Sequence, residues 1–230
     1  NPLIIDEEKM AVVIQRVVGR DYGSGRHYPA FAGVMQSYNY YPGPPREAED
    51  PIAHIALGLG KTIVEGYNAL RFSPAHPQNL HQFSTTADFL GNSQKKLIAL
   101  RTGQPEARLS FEEEPALTEA TVQDAEADGT LQLVGSTYSA EDDRINDGIA
   151  EPGHRLVTFA PLLKNEVLPL ADILSAVSAL GKEAMGCNVE VEFACDYDPA
   201  SGAAIFNILQ MRPMVSRSPV KKVSIKDLKP

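Results

Sequence analysis

The chain has 230 residues, 43% of them hydrophobic, and a formal net charge of −9. That length and composition can bury a core of one large or two small domains, but the acidic balance argues against a nucleic-acid surface, which needs a concentrated basic footprint. No apolar run approaches the ~20 residues of a membrane span and no signal peptide opens the sequence, so neither nucleic acid nor membrane is an expected partner.

In chain order, Met10–Val18 (MAVVIQRVV) is a β-branched run that predicts a buried strand. Gly19–Pro29 (GRDYGSGRHYP) reads as a flexible loop, and Ala32–Asn39 (AGVMQSYN) as the next strand, ended by the Tyr40–Pro45 turn. Together they predict a hairpin with a mobile tip. Arg20, Arg26 and His27 could act there as anion donors, against the plainer reading of an exposed tip. Ile52–Leu57 is a short apolar run leading into Gly58–Gly66 (GLGKTIVEG), with a helical turn expected over Lys61–Glu65. Residues 77–150 alternate weak patterns with polar loops and read as an insertion of mixed structure. Glu112, Glu113, Glu114, Glu119, Asp124, Glu126 and Asp128 crowd this stretch and predict a solvated surface.

Arg155–Phe159 is a plausible strand, and Pro169–Met185 is the clearest helix. Its expected apolar stripe is Leu170, Ile173, Leu174, Val177 and Leu180, with Gly186 as the stop. Cys187 and Cys195 flank the following strand, and the extended chain between them holds them too far apart for a disulfide. Reduced thiols suit a cytoplasmic setting. The Lys-rich end, 219–230, reads as a linker tail after a domain spanning 1–218, and both ends read as cut from something longer.

The helix delivers the chain into Val189–Phe193 (VEVEF), followed after a loop by Ala203–Pro213 (AAIFNILQMRP). Both arms alternate with period 2, so Glu190 and Glu192 leave one face, as do Gln210 and Arg212. A turn centred near Pro199–Ala200 puts Glu190 opposite Gln210. Read alone, alternating Glu more often marks a solvated face of an antiparallel sheet. The other reading is chemical: two carboxylates, an amide and a guanidinium can hold a divalent metal and the phosphates that ride on it.

Other motifs exclude more than they suggest. GLGKT (Gly58–Thr62) lacks the upstream glycine of a P-loop, since Ile55 stands in that position. His27, His54, His76, His81 and His154 show no zinc-ligand spacing. No GxSxG elbow and no Cys–His pairing supports a hydrolase.

Four segments in order resemble the ATP-grasp nucleotide-binding domain of phosphoenolpyruvate synthase and pyruvate phosphate dikinase. Met10–Val18 resembles the strand running into the adenine-contacting hinge, and Ala32–Asn39 is similar to the SGVxFTxxP strand. Leu57–Gly66 resembles the GLGExVVxG element, while VEVEF and Leu209–Pro213 (LQMRP) resemble the DIEW or DIEF strand and the closing LQxRP strand. The resemblance covers roughly residues 8–75 and 155–216.

That resemblance implies an α+β, ATP-grasp-type subdomain with a mainly antiparallel sheet and helices packed on one face. It implies ATP and Mg²⁺ as cofactors, with Glu190 and Glu192 holding the metal and Gln210 and Arg212 meeting the phosphates or the group in transit. The backbone of Gln15, Arg16, Val17 and Val18 would read the adenine edge, and the Gly19–Pro29 loop would close over the triphosphate. Ser37 matches a family Thr, and Lys61, which stands where the family carries Glu, would contact ribose or phosphate. The implied reaction phosphorylates a histidine on a separate swivelling domain for transfer to pyruvate. The upstream ATP-grasp subdomain and the downstream phosphohistidine and pyruvate-binding domains are expected as further parts of the parent protein. By itself the chain is expected to bind nucleotide weakly and to turn nothing over. The alternatives are a non-catalytic sensory or scaffolding module and a related dikinase with another acceptor.

Overall fold

The computed structural model describes residues 11–103, 116–198 and 200–214. The strands are β1 (Arg20–Tyr22), β2 (Arg26–Tyr28), β3 (Phe31–Gln36), β4 (Ile52–Ala56), β5 (Leu70–Phe72), β6 (Lys96–Arg101), β7 (Leu117–Thr121), β8 (Gly135–Ser139), β9 (Arg144–Asp147), β10 (His154–Val157), β11 (Val189–Asp198) and β12 (Ala203–Pro213). The helices are α1 (Lys61–Val64), α2 (Thr86–Asn92), α3 (Val122–Ala127), α4 (Leu131–Val134), α5 (Ala160–Leu163) and α6 (Leu170–Met185).

These strands form three antiparallel sheets, ordered β12-β11-β3-β4-β5, β1-β2-β6-β7 and β10-β8-β9. In the five-stranded sheet the period-2 alternation sorts the side chains. Val189, Val191, Phe193 and Cys195 of β11 are buried with Phe31 and Met35 of β3 in the main core, while Glu190 and Glu192 take the opposite face. Phe193 stacks on Phe206, ring centroids 5.1 Å apart, and lies over Gly33, where a Cβ would come within 2.2 Å of its ring. That close approach is the reason a glycine stands in the middle of β3.

Helix α6 begins after Pro169 and stops at Gly186, whose φ of +64° is the left-handed cap. Its buried side is Leu170, Leu174, Ser178 and Gly181, whereas Leu180, expected in the stripe, is 65% exposed. The helix turns its smallest residue to the sheet at this end: a Cβ on Gly181 would lie 2.9 Å from Val189.

Several expectations are corrected. Met10 lies outside the described residues, and residues 11–18 form no strand; Val12, Val13 and Ile14 are 80%, 79% and 92% exposed. A β-branched run becomes a strand only where a partner edge accepts its backbone. This segment instead reaches the sheet through the Gln15 side chain, whose Nε2 donates to Leu209 O at 3.0 Å. The Gly19–Pro29 segment is itself the β1–β2 hairpin, and its tip is held. Arg26 and Ser24 bond Asp128, and Tyr28 donates its hydroxyl to the same carboxylate at 2.8 Å. Asp128 is therefore an anchor with a side chain only 6% exposed, not part of a solvated run. Asp124 caps α3 and pairs with Arg26, and Glu126 pairs with Arg155. Glu112, Glu113 and Glu114 lie outside the described residues.

The stretch 77–150 threads into the body: β6 pairs with β2, and Leu97, Leu131, Leu133 and Val134 join the same hydrophobic cluster. Buried Gln94 stitches it further, accepting from Leu57 N and donating to Leu57 O, both at 2.9 Å. Both cysteines are free, Cys187 exposed and Cys195 buried. The tail 219–230 lies outside the described residues. No described helix is long and apolar enough to cross a membrane.

Candidate nucleotide site

The candidate site is built by the register of β12, β11 and β3. Glu190 faces Arg212 on one side and Gln36 on the other, and Glu192 faces Gln210 and Val34. This is offset by two from the expected Glu190–Gln210 pairing. The turn falls later than expected, organised by Asp198, whose carboxylate accepts from Ala200 N and Ser201 Oγ, and by Gly202 at φ +69°. A bulge then leaves Leu209 unpaired, since Glu192 faces Gln210 but Phe193 faces Ile208. Because the offset is even, the four polar side chains still share one face.

Glu190 is gripped from both sides. Gln36 Nε2 donates to Oε2 at 2.8 Å, and Arg212 donates to Oε1 through Nε at 2.8 Å and through Nη2. Burial pushes the Glu190 carboxyl up, but the bonds from Gln36 and Arg212 outweigh it and hold its pKa below the ordinary value. Glu192 has no hydrogen bond or ion pair among the described residues. The face thus offers one carboxylate already oriented and a second one uncommitted, beside an exposed guanidinium and an exposed amide.

Residues 3–229 match the sequence pattern of the family described as pyruvate phosphate dikinase, AMP/ATP-binding domain. The chain belongs to this family. No curated protein matches it. As a pyruvate phosphate dikinase AMP/ATP-binding domain it has an ATP-grasp-type α+β fold, ATP binding is implied by the family, and its enzymes are ATP-dependent dikinases.

Within this dikinase domain the expected site residues fall into two groups. Glu190, Glu192, Gln210 and Arg212 are brought together. The others are elsewhere or committed. Ser37 is fully buried, its hydroxyl accepting from Val189 N at 2.8 Å and donating to Asn188 Oδ1 at 3.3 Å, so it locks the end of β3 to the start of β11. Lys61 lies 3.7 Å from Glu65 and lines a cavity of about 170 Å³ beside Tyr67 and Glu119. Gln15, Arg16, Val17 and Val18 run past the bulged part of β12 without secondary structure, and Arg16 acts through space on Asp196. Arg20 is paired with Asp198 at 2.8 Å, and Arg26 with Asp128.

The GLGKT element approaches the same sheet face from the other end. A Cβ on Gly60 would meet Ala32 Cβ at 4.0 Å, and Leu59 N and Thr62 Oγ1 bond the two backbone groups of Ile98 on β6. Gln36 was missed by the sequence reading, as were His54 and Arg71, which extend the Gln210–Glu192–Val34 row across β4 and β5. The available signal was weak: a single polar residue in each of the otherwise apolar β3, β4 and β5.

Proposed function

We propose that this domain binds Mg·ATP across the open face of the five-stranded sheet, as the ATP-binding portion of a phosphoenolpyruvate synthase- or pyruvate phosphate dikinase-like phosphotransferase. The uncommitted carboxylate of Glu192 next to the Glu190–Arg212 pair carries the reading. Two carboxylates suit Mg²⁺, which keeps water and phosphate oxygens as its other ligands. When bound, the ion would draw negative charge off the phosphate oxygens.

The chain's own groups divide the remaining work. Gln36 holds Oε2 of Glu190 and so fixes the direction of Oε1. Arg212 turns its fork from Glu190 to the phosphates, and Gln210 adds an amide donor beside it. None of these groups is a nucleophile. They position the phosphates and offset their charge. The acceptor in this reading is a histidine on a separate swivelling domain, with pyruvate receiving the phosphoryl group afterwards.

The test is a calorimetric titration of Mg·ATP, with and without EDTA, into the wild type and Glu192→Gln. We expect Mg²⁺-dependent binding that is weakened about tenfold or more in the variant. Affinity unchanged by both EDTA and the substitution would remove the two carboxylates from the reading. No heat at millimolar nucleotide from the chain joined to the upstream ATP-grasp subdomain that this reading expects would favour a sensory or scaffolding module.

A further inference from the structure

Arg46 is a cation folded into the protein without an ion pair among the described residues. It is 7% exposed; its Nη2 donates to Asn79 O, and its Nε is buried without a partner. Beside it Arg71 donates through Nη2 to Asn39 Oδ1 at 3.0 Å, and the amide nitrogen of that buried Asn39 also lacks a partner. Among the described residues neither guanidinium forms an ion pair. Asp50 acts on Arg46 only through space, and its own carboxylate accepts from Glu47 N and faces His76 at 3.7 Å.

A cavity of about 260 Å³, lined by Arg46, His54, Ala69, Arg71, His81 and Gln82, opens onto the two guanidinium groups. Among the described residues two arginines and two histidines line it, and no acid does. We infer that this cavity is a binding site for a small dianionic oxyanion, a phosphate or the phosphoryl group of a phosphate ester, held between Arg46 and Arg71.

Three observations converge on a dianion. Buried polar groups are normally paired, and the Arg46 guanidinium, which lines the cavity, keeps its Nε without a partner among the described residues. A buried charge without a partner is costly, and here two like charges adjoin: burial and then Arg71 push the Arg46 pKa down, and the same two causes push His54 down. A guanidinium fork matches tetrahedral oxyanions, and two forks balance two negative charges, where a monocarboxylate would leave one unbalanced.

The site shares the sheet face of the carboxylates, with His54 and Arg71 continuing the Glu192–Val34 row, but lies at its far end. Arg71 on β5 stands three strands from Glu192 on β11, roughly 14 Å at ordinary strand spacing, and the local charge has the opposite sign. The inference therefore does not rest on the Mg·ATP reading.

The test titrates inorganic phosphate into the full chain at neutral pH and fixed ionic strength, without Mg²⁺ or nucleotide. Wild type should show saturable one-site binding, with acetate about tenfold weaker or more. Arg71→Gln, on the accessible wall, should weaken phosphate about tenfold or more, and Glu192→Gln should leave it within about twofold. Arg46→Gln should act like Arg71→Gln; should it fail to fold, Arg71→Gln decides alone. Methyl phosphate distinguishes a bound ester from free phosphate, and tighter binding of either supports the site. No saturation in wild type, binding retained in Arg71→Gln, acetate binding as tightly as phosphate, or loss in Glu192→Gln would each overturn the inference.

Discussion

Glu190 shows how a single side chain reports on the site. Its pKa lies below the ordinary carboxyl value because bonds from Gln36 and Arg212 outweigh burial. A carboxyl depressed in the folded state adds stability that is complete above its unfolded pKa, about 4.3, and is lost as pH falls through the folded value. Glu190→Gln should therefore flatten the loss of stability below about pH 4, read from urea unfolding across a pH series. An unchanged acid limb would mean that Gln36 and Arg212 do not grip the carboxylate in solution. Gln94 is a structural counterpart. It is 2% exposed and satisfies Leu57 N, Leu57 O and Lys96 O. Gln94→Leu strands these groups and should cost roughly 2–4 kcal/mol, seen as a lower urea midpoint at unchanged slope.

Among the elements, α6 and the β11–β12 hairpin were legible to different depths. The hairpin's alternation is local, so the shared face of Glu190, Glu192, Gln210 and Arg212 could be read directly from the sequence. Its register depends on where Asp198 and Gly202 set the turn and on the Leu209 bulge, and no period-2 pattern encodes either. Gln36, His54 and Arg71 join the face only because β11 pairs with β3, which is remote in sequence. In α6 the 3.6-residue period found Leu170 and Leu174 but placed Leu180 inward. The helix lies close enough to the sheet that Gly181 takes the buried position. Gly181→Leu should cost about 1–3 kcal/mol through overpacking against Val189 and Met211. Leu180→Glu should stay within about 0.5 kcal/mol. Equal effects in thermal unfolding would contradict this orientation of the helix.

Across the whole molecule, burial of titratable groups sets a pH dependence away from the acid limb. His54 is held below its ordinary pKa by burial and by Arg71. The unfolded chain therefore takes up the proton first, and stability is lost as pH falls below about 6.5. His54→Gln should flatten the stability curve between about pH 5 and 7, and a wild-type curve already flat there would count against a buried neutral imidazole. The sequence-level reading of 11–18 failed at this scale too. Its β-branched composition is strand-like, but a strand needs an edge to pair with, and it is the Gln15 side chain that reaches one. That failure has a consequence for proteolysis. Arg16 sits in exposed chain without secondary structure, whereas Arg20 lies in β1 paired with Asp198, and Arg26 is clamped by Asp128 and Asp124. Brief trypsin treatment should cut after Arg16 before it cuts after Arg20 or Arg26, and the body that begins at Val17 should keep its cooperative melt, as mass spectrometry and calorimetry would report. Early cleavage after Arg26 instead would mean that the hairpin tip opens in solution.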